Sequence, residues 1–227
     1  MLPEAPVDSS CGALDRRTES GQPVGVVDRY ATTARAATET DVASAAQTLA
    51  RAFYEDPIWG WVFDDRSERH HQLAALWRLF VAGSIEHGWV WTTPAYSAVS
   101  VWIPPGCPEL TEPYQAQLEP LADELLGHRS ALLLEVFARF EAAHPREEPH
   151  FYLSLLGTHP DHRSHGIGMR LLGENLARVD RQHVPAYLES SNPANLSRYV
   201  SVGFEPYGEF TLPDDGPIVT TMWRPPQ

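Results

Sequence analysis

Behind an apolar run at 151–156, the chain sets Arg163, Gly166 and Gly168 in an Arg-x-x-Gly-x-Gly spacing that opens a helical pattern at 166–180. Amides at the start of a helix have no earlier turn to bond and carry partial positive charge. A glycine-spaced turn from strand to helix is therefore a natural cradle for a pyrophosphate. Glycine at 166 and 168 lets a phosphate approach the backbone closely. Neither the GxxxxGKS/T string of P-loops nor the GxGxxG of dinucleotide folds occurs, so the loop follows a third pattern. Arg163 and Arg170 are placed to add side-chain charge, or to stand as solvated surface cations. Two titratable groups lie near in sequence: Glu189 ends the next apolar run, and His159, between strand and loop, works near neutral pH.

The loop resembles the Arg/Gln-x-x-Gly-x-Gly/Ala motif of the GNAT acyltransferases. Tyr187, Asn195, Tyr199 and Gly203-Phe204 follow in the order of that superfamily's Asn, Tyr and Gly-Phe segment. The stretches HPDHRSHGIG and PAYLESSNPANLSRYVSVGF, and more faintly LARAFYEDP and VSVWIPP, are similar to those of puromycin N-acetyltransferase-like enzymes. The likeness is strong over residues 149–204 and weak over 41–148, the part from which these enzymes largely build their acceptor pocket. It implies cofactor and reaction, and leaves the acceptor open.

What the resemblance implies is specific. Strands at 151–158 and 186–190 splay apart, and the pantetheine arm of acetyl-CoA enters the gap. Backbone groups of Leu156, Gly157 and Thr158 pair with that arm, as an added strand does. Arg163, Ser164, His165, Gly166, Ile167, Gly168 and Met169 hold the phosphates. Asn195 hydrogen-bonds the cofactor, although an N-cap is the ordinary role for such an Asn. Tyr199, one turn further on the same helix face, is the general acid for the departing thiolate. A neutral amine attacks the thioester, and Glu189 accepts the amine's proton directly or through water, with His159 as the second candidate base. Glu189 could equally be a polar residue fixing the strand end.

The implied activity is acetyl-CoA-dependent N-acetylation of the primary amine of a small molecule, antibiotic-like or otherwise cationic. The competing readings are a different acyl donor, a hydroxyl acceptor, or a non-catalytic acyl-CoA-binding module. His159, His162 and His165 recur at every third position, yet a loop that offers its amides to phosphate is badly placed to wrap three imidazoles round an ion. No metal is expected. The aromatic run Trp59, Trp61 and Phe63, with Tyr54 and Trp77, reads as core or as the lining of an acceptor pocket for a bulky amine.

These residues need a scaffold, and the pattern supplies one. A short strand at 31–35 and cap candidates at 38–41 precede a helical pattern from Val42 to Phe53. That helix must stop near Asp56-Pro57, and a tryptophan-rich loop leads to a second helical stretch at 73–85. Residues 89–93 and 98–103 read as a hairpin, and 118–126 and 132–140 as two helices. Strands at 151–156 and 186–189, helices at 166–180 and 194–202, and late strands near Glu209 and at 218–223 complete the chain. The order points to a mixed sheet with helices on both faces, and the resemblance implies an α/β (α+β) fold whose central sheet is mostly antiparallel.

Residues 1–28 carry prolines, serines and scattered charges without a period of two or 3.6, so they read as a flexible tail ahead of one domain at 29–227. Of 227 residues, 43% are hydrophobic and 21% charged, enough for one sizeable core. Seventeen basic against thirty acidic residues give a formal charge of −13, which disfavours nucleic acid and anionic membranes and favours a cationic substrate. The two cysteines, Cys11 and Cys107, have no metal or redox spacing and read as reduced bystanders. With no apolar run long enough for a membrane span and no secretory signal pattern, a cytoplasmic monomer or homodimer is expected.

Overall fold

Asp41 gathers the start of the described chain, residues 34–227 of the computed structural model. Its carboxylate accepts from two guanidinium nitrogens of Arg35 at 2.7 Å each, from the Tyr96 hydroxyl at 2.6 Å and from the Thr38 amide at 2.8 Å. These donors hold the carboxyl far below the usual carboxylate range, against its burial. The expected tail at 1–28 and the start of the strand expected at 31–35 lie outside the described residues. The strand that is described, β1, spans Arg35–Ala36. Thr38 and Asp41 lead through a short 3-10 turn into α1, Val42–Phe53. Ala45, Ala46, Leu49 and Ala50 form its buried stripe, and small residues there let α1 lie close on its neighbours.

The next segment departs from expectation. Residues 57–62, read as part of a tryptophan-rich loop, form a helix, α2, Pro57–Val62. Pro57 sits where a missing N–H costs nothing, and Asp56 caps the helix by accepting from the Ile58 and Trp59 amides at 3.0 and 3.3 Å. The other helices follow the pattern more fully than expected at their starts: α3 is Arg69–Ser84, α4 Glu112–Leu126 and α5 Ser130–Ala143. No helix among the described residues is long and apolar enough to cross a membrane.

The remaining strands are β2, Val90–Thr92; β3, Ala98–Ile103; β4, Phe151–Thr158; β5, Ala186–Ser190; β6, Glu205–Thr211; and β7, Ile218–Arg224. They form one sheet in the order β1-β2-β3-β4-β5-β7-β6. Every neighbouring pair is antiparallel except β4 and β5, which are parallel and joined by the crossover helix α6, Ile167–Asp180. Helices cover both faces, as expected. Val99, Val101 and Leu155 join the core under α1 to α5, while Trp102, Phe151 and Leu188 join a second core with Leu172, Leu176 and Val179 of α6. Buried Asn175 of α6 pins the helix to the sheet, accepting from Ser100 Oγ at 2.7 Å and Trp102 Nε1 at 3.1 Å.

One irregularity shapes the centre. Val101 pairs with Leu155 but Trp102 pairs with Leu153, so Ser154 is an extra residue in β4. The parallel β4–β5 pairing ends at Leu153 and Leu188, one residue before this bulge, although β4 continues to Thr158. A bulge bends and further twists its strand. Here the bend turns β4 away from β5 and leaves residues 154–158 without a sheet partner on that edge.

Candidate active site

Two cavities meet at the splay. The larger, about 550 Å³, runs along the open end of β4 and over the start of α6. Leu156, Gly157 and Thr158 line it from the strand, with Arg163, Ser164, Gly166, Ile167, Gly168 and Met169 from the loop. His165, grouped with the loop from sequence, is exposed and outside this lining; its carbonyl accepts from Arg170 Nη1 at 2.8 Å. Gly166 takes a φ of +70°, the left-handed region that suits glycine, and no side chain caps α6. The first amides of a fourteen-residue helix therefore point into the groove uncapped.

Gly168 has a second reason to be glycine, because a Cβ there would collide with Thr158 Oγ1. Close packing of α6 on the end of β4 fixes the loop. The two arginines play different parts. Arg163 Nη2 donates to the Ala52 carbonyl at 2.7 Å, tying the loop to α1. Arg170 keeps Nε and Nη2 buried without a hydrogen-bond partner. Arg170 does not line the groove, so it is the uncapped amides of α6 that favour an anion there.

The second cavity, about 70 Å³, lies deeper. Its walls are aromatic: Phe53 from α1, Trp59 from α2, Trp77 and Phe80 from α3, and Phe137 and Phe140 from α5. The aromatic group singled out from sequence thus divides. Trp59 and Trp77 are both core and cavity wall, packed edge to face at 4.7 Å. Phe63 is core alone, and the Tyr54 hydroxyl donates to the Arg66 carbonyl, away from the cavity.

Two carboxylates close the deep cavity. Glu189, the first residue of β5 beyond its pairing with β4, has a side chain 1% exposed, and neither oxygen has a hydrogen-bond partner. Glu109, between β3 and α4, accepts from the hydroxyl of the bulged Ser154. Burial and the charge of Glu189 push its carboxyl up to about 7, against the Ser154 hydrogen bond. Burial, then the Glu189 charge, likewise pushes the Tyr152 and Tyr187 phenols up. His159 lines neither cavity; its ring caps the 3-10 turn Pro160–His162 by accepting from the Asp161 amide.

Leu156, Asn195 and Tyr199 border both cavities, with Phe53. Tyr199 stands on α7, Leu196–Val200, shorter than the helix expected at 194–202 because 193–195 form a 3-10 turn. Burial and the neighbouring Asp56 carboxylate push its phenol up to about 12. Its hydroxyl makes no hydrogen bond among the described residues. Asp56 is itself pushed up by burial, against bonds from Ser191, Ile58 and Trp59. Asn195 does not act as a side-chain N-cap: its Oδ1 accepts from Arg198 Nη1 at 2.8 Å, and Asn192 caps the preceding turn instead.

A solved acetyltransferase from Corynebacterium glutamicum, described as histone acetyltransferase HPA2 and related acetyltransferase, superposes with a TM-score of 0.64. The match covers 86% of this chain and 97% of that one at 24% identity. The chain has the GNAT acetyltransferase fold. A polyamine N-acetyltransferase of Drosophila melanogaster that catalyses formation of N-acetylagmatine shares this acetyltransferase fold at a TM-score of 0.56 and 12% identity, covering 85% and 99% of the two chains. In sequence, an uncharacterized N-acetyltransferase of Schizosaccharomyces pombe is 23% identical over 174 residues, 72% of this chain and 70% of that protein. No family model matches the sequence.

Within this acetyltransferase fold, sequence reading missed Asp56, Glu109, Ser154, Phe137 and Phe140 as site residues. Asp56 carried a signal, since Asp before Pro is a helix-start pattern. Phe137 and Phe140 carried only the periodicity of an ordinary buried helix face. Nothing local marks Glu109, which reaches the cavity only through the bulge at Ser154.

Proposed function

We propose that the protein is an N-acetyltransferase that moves the acetyl group of acetyl-CoA to the primary amine of a small cationic molecule. The observation that carries this reading is Glu189: a carboxylate 1% exposed and without a hydrogen-bond partner, lining an aromatic cavity that opens at Tyr199 onto a phosphate-type groove. A buried carboxylate without a hydrogen bond, with only the His144 ring 3.8 Å away, is costly, and an ammonium group is its natural complement.

The groove fits the cofactor. The unpaired edge of β4 at 154–158 suits an amide-bearing arm, and the uncapped start of α6 suits a diphosphate. Acetyl-CoA would supply an activated thioester. Glu189 accepts a proton from the ammonium, freeing the lone pair that attacks. Tyr199, whose phenol stays protonated far above neutrality, gives its proton to the departing sulfur. The aromatic walls exclude water, and Glu109 adds a second anionic contact for a cationic acceptor.

The cationic acceptor also agrees with the formal charge of −13. The Drosophila neighbour, an agmatine-acetylating enzyme, belongs to the same acceptor class. Thiol release from acetyl-CoA, followed with agmatine, spermidine, tryptamine and an aminoglycoside, tests the proposal. Turnover of at least one amine, lost in Glu189→Gln, supports it; release with none, or equal release with alcohols of the same shape, counts against it.

A further inference from the structure

We infer that His144 is the outlet for the proton that Glu189 takes from the amine, and that His150 fixes the tautomer that lets it serve. The inference rests on the proposed acetyl transfer but is carried by separate geometry. His144 ends α5, and its Nδ1 faces Glu189 Oε1 at 3.8 Å. Its Nε2 lies 3.0 Å from His150 Nε2, and His150 Nδ1 lies 2.7 Å from the Glu148 carbonyl oxygen.

The partners decide the hydrogens. A carbonyl only accepts, so His150 carries its hydrogen on Nδ1 and presents a lone pair at Nε2. His144 then donates from Nε2, and its neutral ring keeps Nδ1 unprotonated and aimed at Glu189, whose protonated carboxyl can donate to it. Burial, against the Glu148 carbonyl bond and the Glu189 charge, pushes the His150 ring down from its ordinary value, which favours the neutral ring that this arrangement needs. The other titratable groups facing the His144 ring are Tyr152 of β4, Tyr187 of β5 and Glu109.

The reaction needs such an outlet. An ammonium that becomes an amide gives up two protons, of which one replaces the proton that Tyr199 gives to the leaving thiolate. The other first forms an O–H bond on Glu189, whose side chain is 1% exposed. That O–H bond then breaks as Nδ1–H forms on His144. The resulting imidazolium belongs to a side chain 22% exposed and returns its extra proton to water. Glu189 and His144 are then as they began.

Long-range proton–nitrogen spectra of protein labelled in histidine, recorded where the rings are neutral, test this without any acceptor. The expected pattern is Nε2–H at His144 and Nδ1–H at His150, with the His144 Nδ1 resonance moving in Glu189→Gln. His150→Asn, or His150→Ala if that variant folds better, should turn His144 into a tautomer mixture. Nδ1–H at His144 in the parent protein overturns the inference, because no lone pair would face Glu189. With an accepted amine, His144→Gln should lower kcat at least about tenfold with the KM for acetyl-CoA unchanged, and imidazole should restore part of the rate to His144→Gly. Full kcat in His144→Gln, with chemistry limiting, also overturns it. The expected tautomers together with no amine turned over would count against the acetyl-transfer reading alone.

Discussion

Ser191 donates its hydroxyl hydrogen to Asp56 Oδ2 at 2.6 Å, joining the loop behind β5 to the first turn of α2. The other oxygen of Asp56 caps α2, so one buried carboxylate connects the aromatic wall to the strand that carries Glu189. Ser191→Ala leaves a buried acceptor unsatisfied and should cost about 1–3 kcal/mol. Urea unfolding reads the loss; an unchanged midpoint would mean that water replaces the hydroxyl.

Gly168 and Thr158 should be coupled. Gly168→Ala drives a Cβ into Thr158 Oγ1 and should lower the melting temperature, whereas Thr158→Ala in the same chain removes the obstacle and should restore most of it. Coenzyme A affinity measured on both variants then separates packing from phosphate approach. If the double variant is stable but still binds poorly, the second glycine also keeps the backbone open to phosphate; if it binds normally, packing is the whole reason for Gly168.

The contrast between those two residues and Glu109 shows what a sequence can disclose. Strand, loop and helix from Phe151 to Asp180 were legible because an apolar run, two glycines and a helical period are local signals, and the strands and most helices along the chain followed from similar signals, whereas the order of strands in the sheet did not. The tryptophan run at 59–61 hid α2, because the aromatic composition outweighed the Asp56-Pro57 start signal. Ser154 looks like any polar residue in an alternating strand, and only its pairing shows the bulge that brings Glu109 to the cavity. His144 and His150 meet across a turn whose geometry no spacing rule specifies.

Tyr199→Phe should lower kcat about 10²–10⁴-fold, the range for a positioned proton donor, and leave acetyl-CoA affinity nearly unchanged. With the phenol pushed up to about 12, the parent protein should keep this step active through the whole neutral and mildly alkaline range. Single-turnover thiol release, with binding measured separately, decides it. Full kcat in the variant would make Tyr199 a packing residue and water the proton donor.

Glu109 gives the pH prediction, and its sign follows from the direction of the shift. Its carboxyl is raised in the folded chain from 4.5 to about 7, so between those values the native state binds more protons than the unfolded one. The stability it contributes is fully present below 4.5 and is lost as pH rises through about 7. Glu109→Gln keeps an oxygen for the Ser154 hydroxyl but cannot ionise, so its melting temperature should gain on the parent's as pH rises across that window. A cationic acceptor works in the opposite sense, because it favours the ionised carboxylate. Acceptor affinity in the parent should therefore strengthen as pH rises through about 7, and Glu109→Gln should weaken binding and flatten this dependence. Calorimetric melting at several pH values, with and without an accepted amine, measures both. Parallel curves for the two proteins would mean that Glu109 is ionised throughout and takes no part in holding the amine.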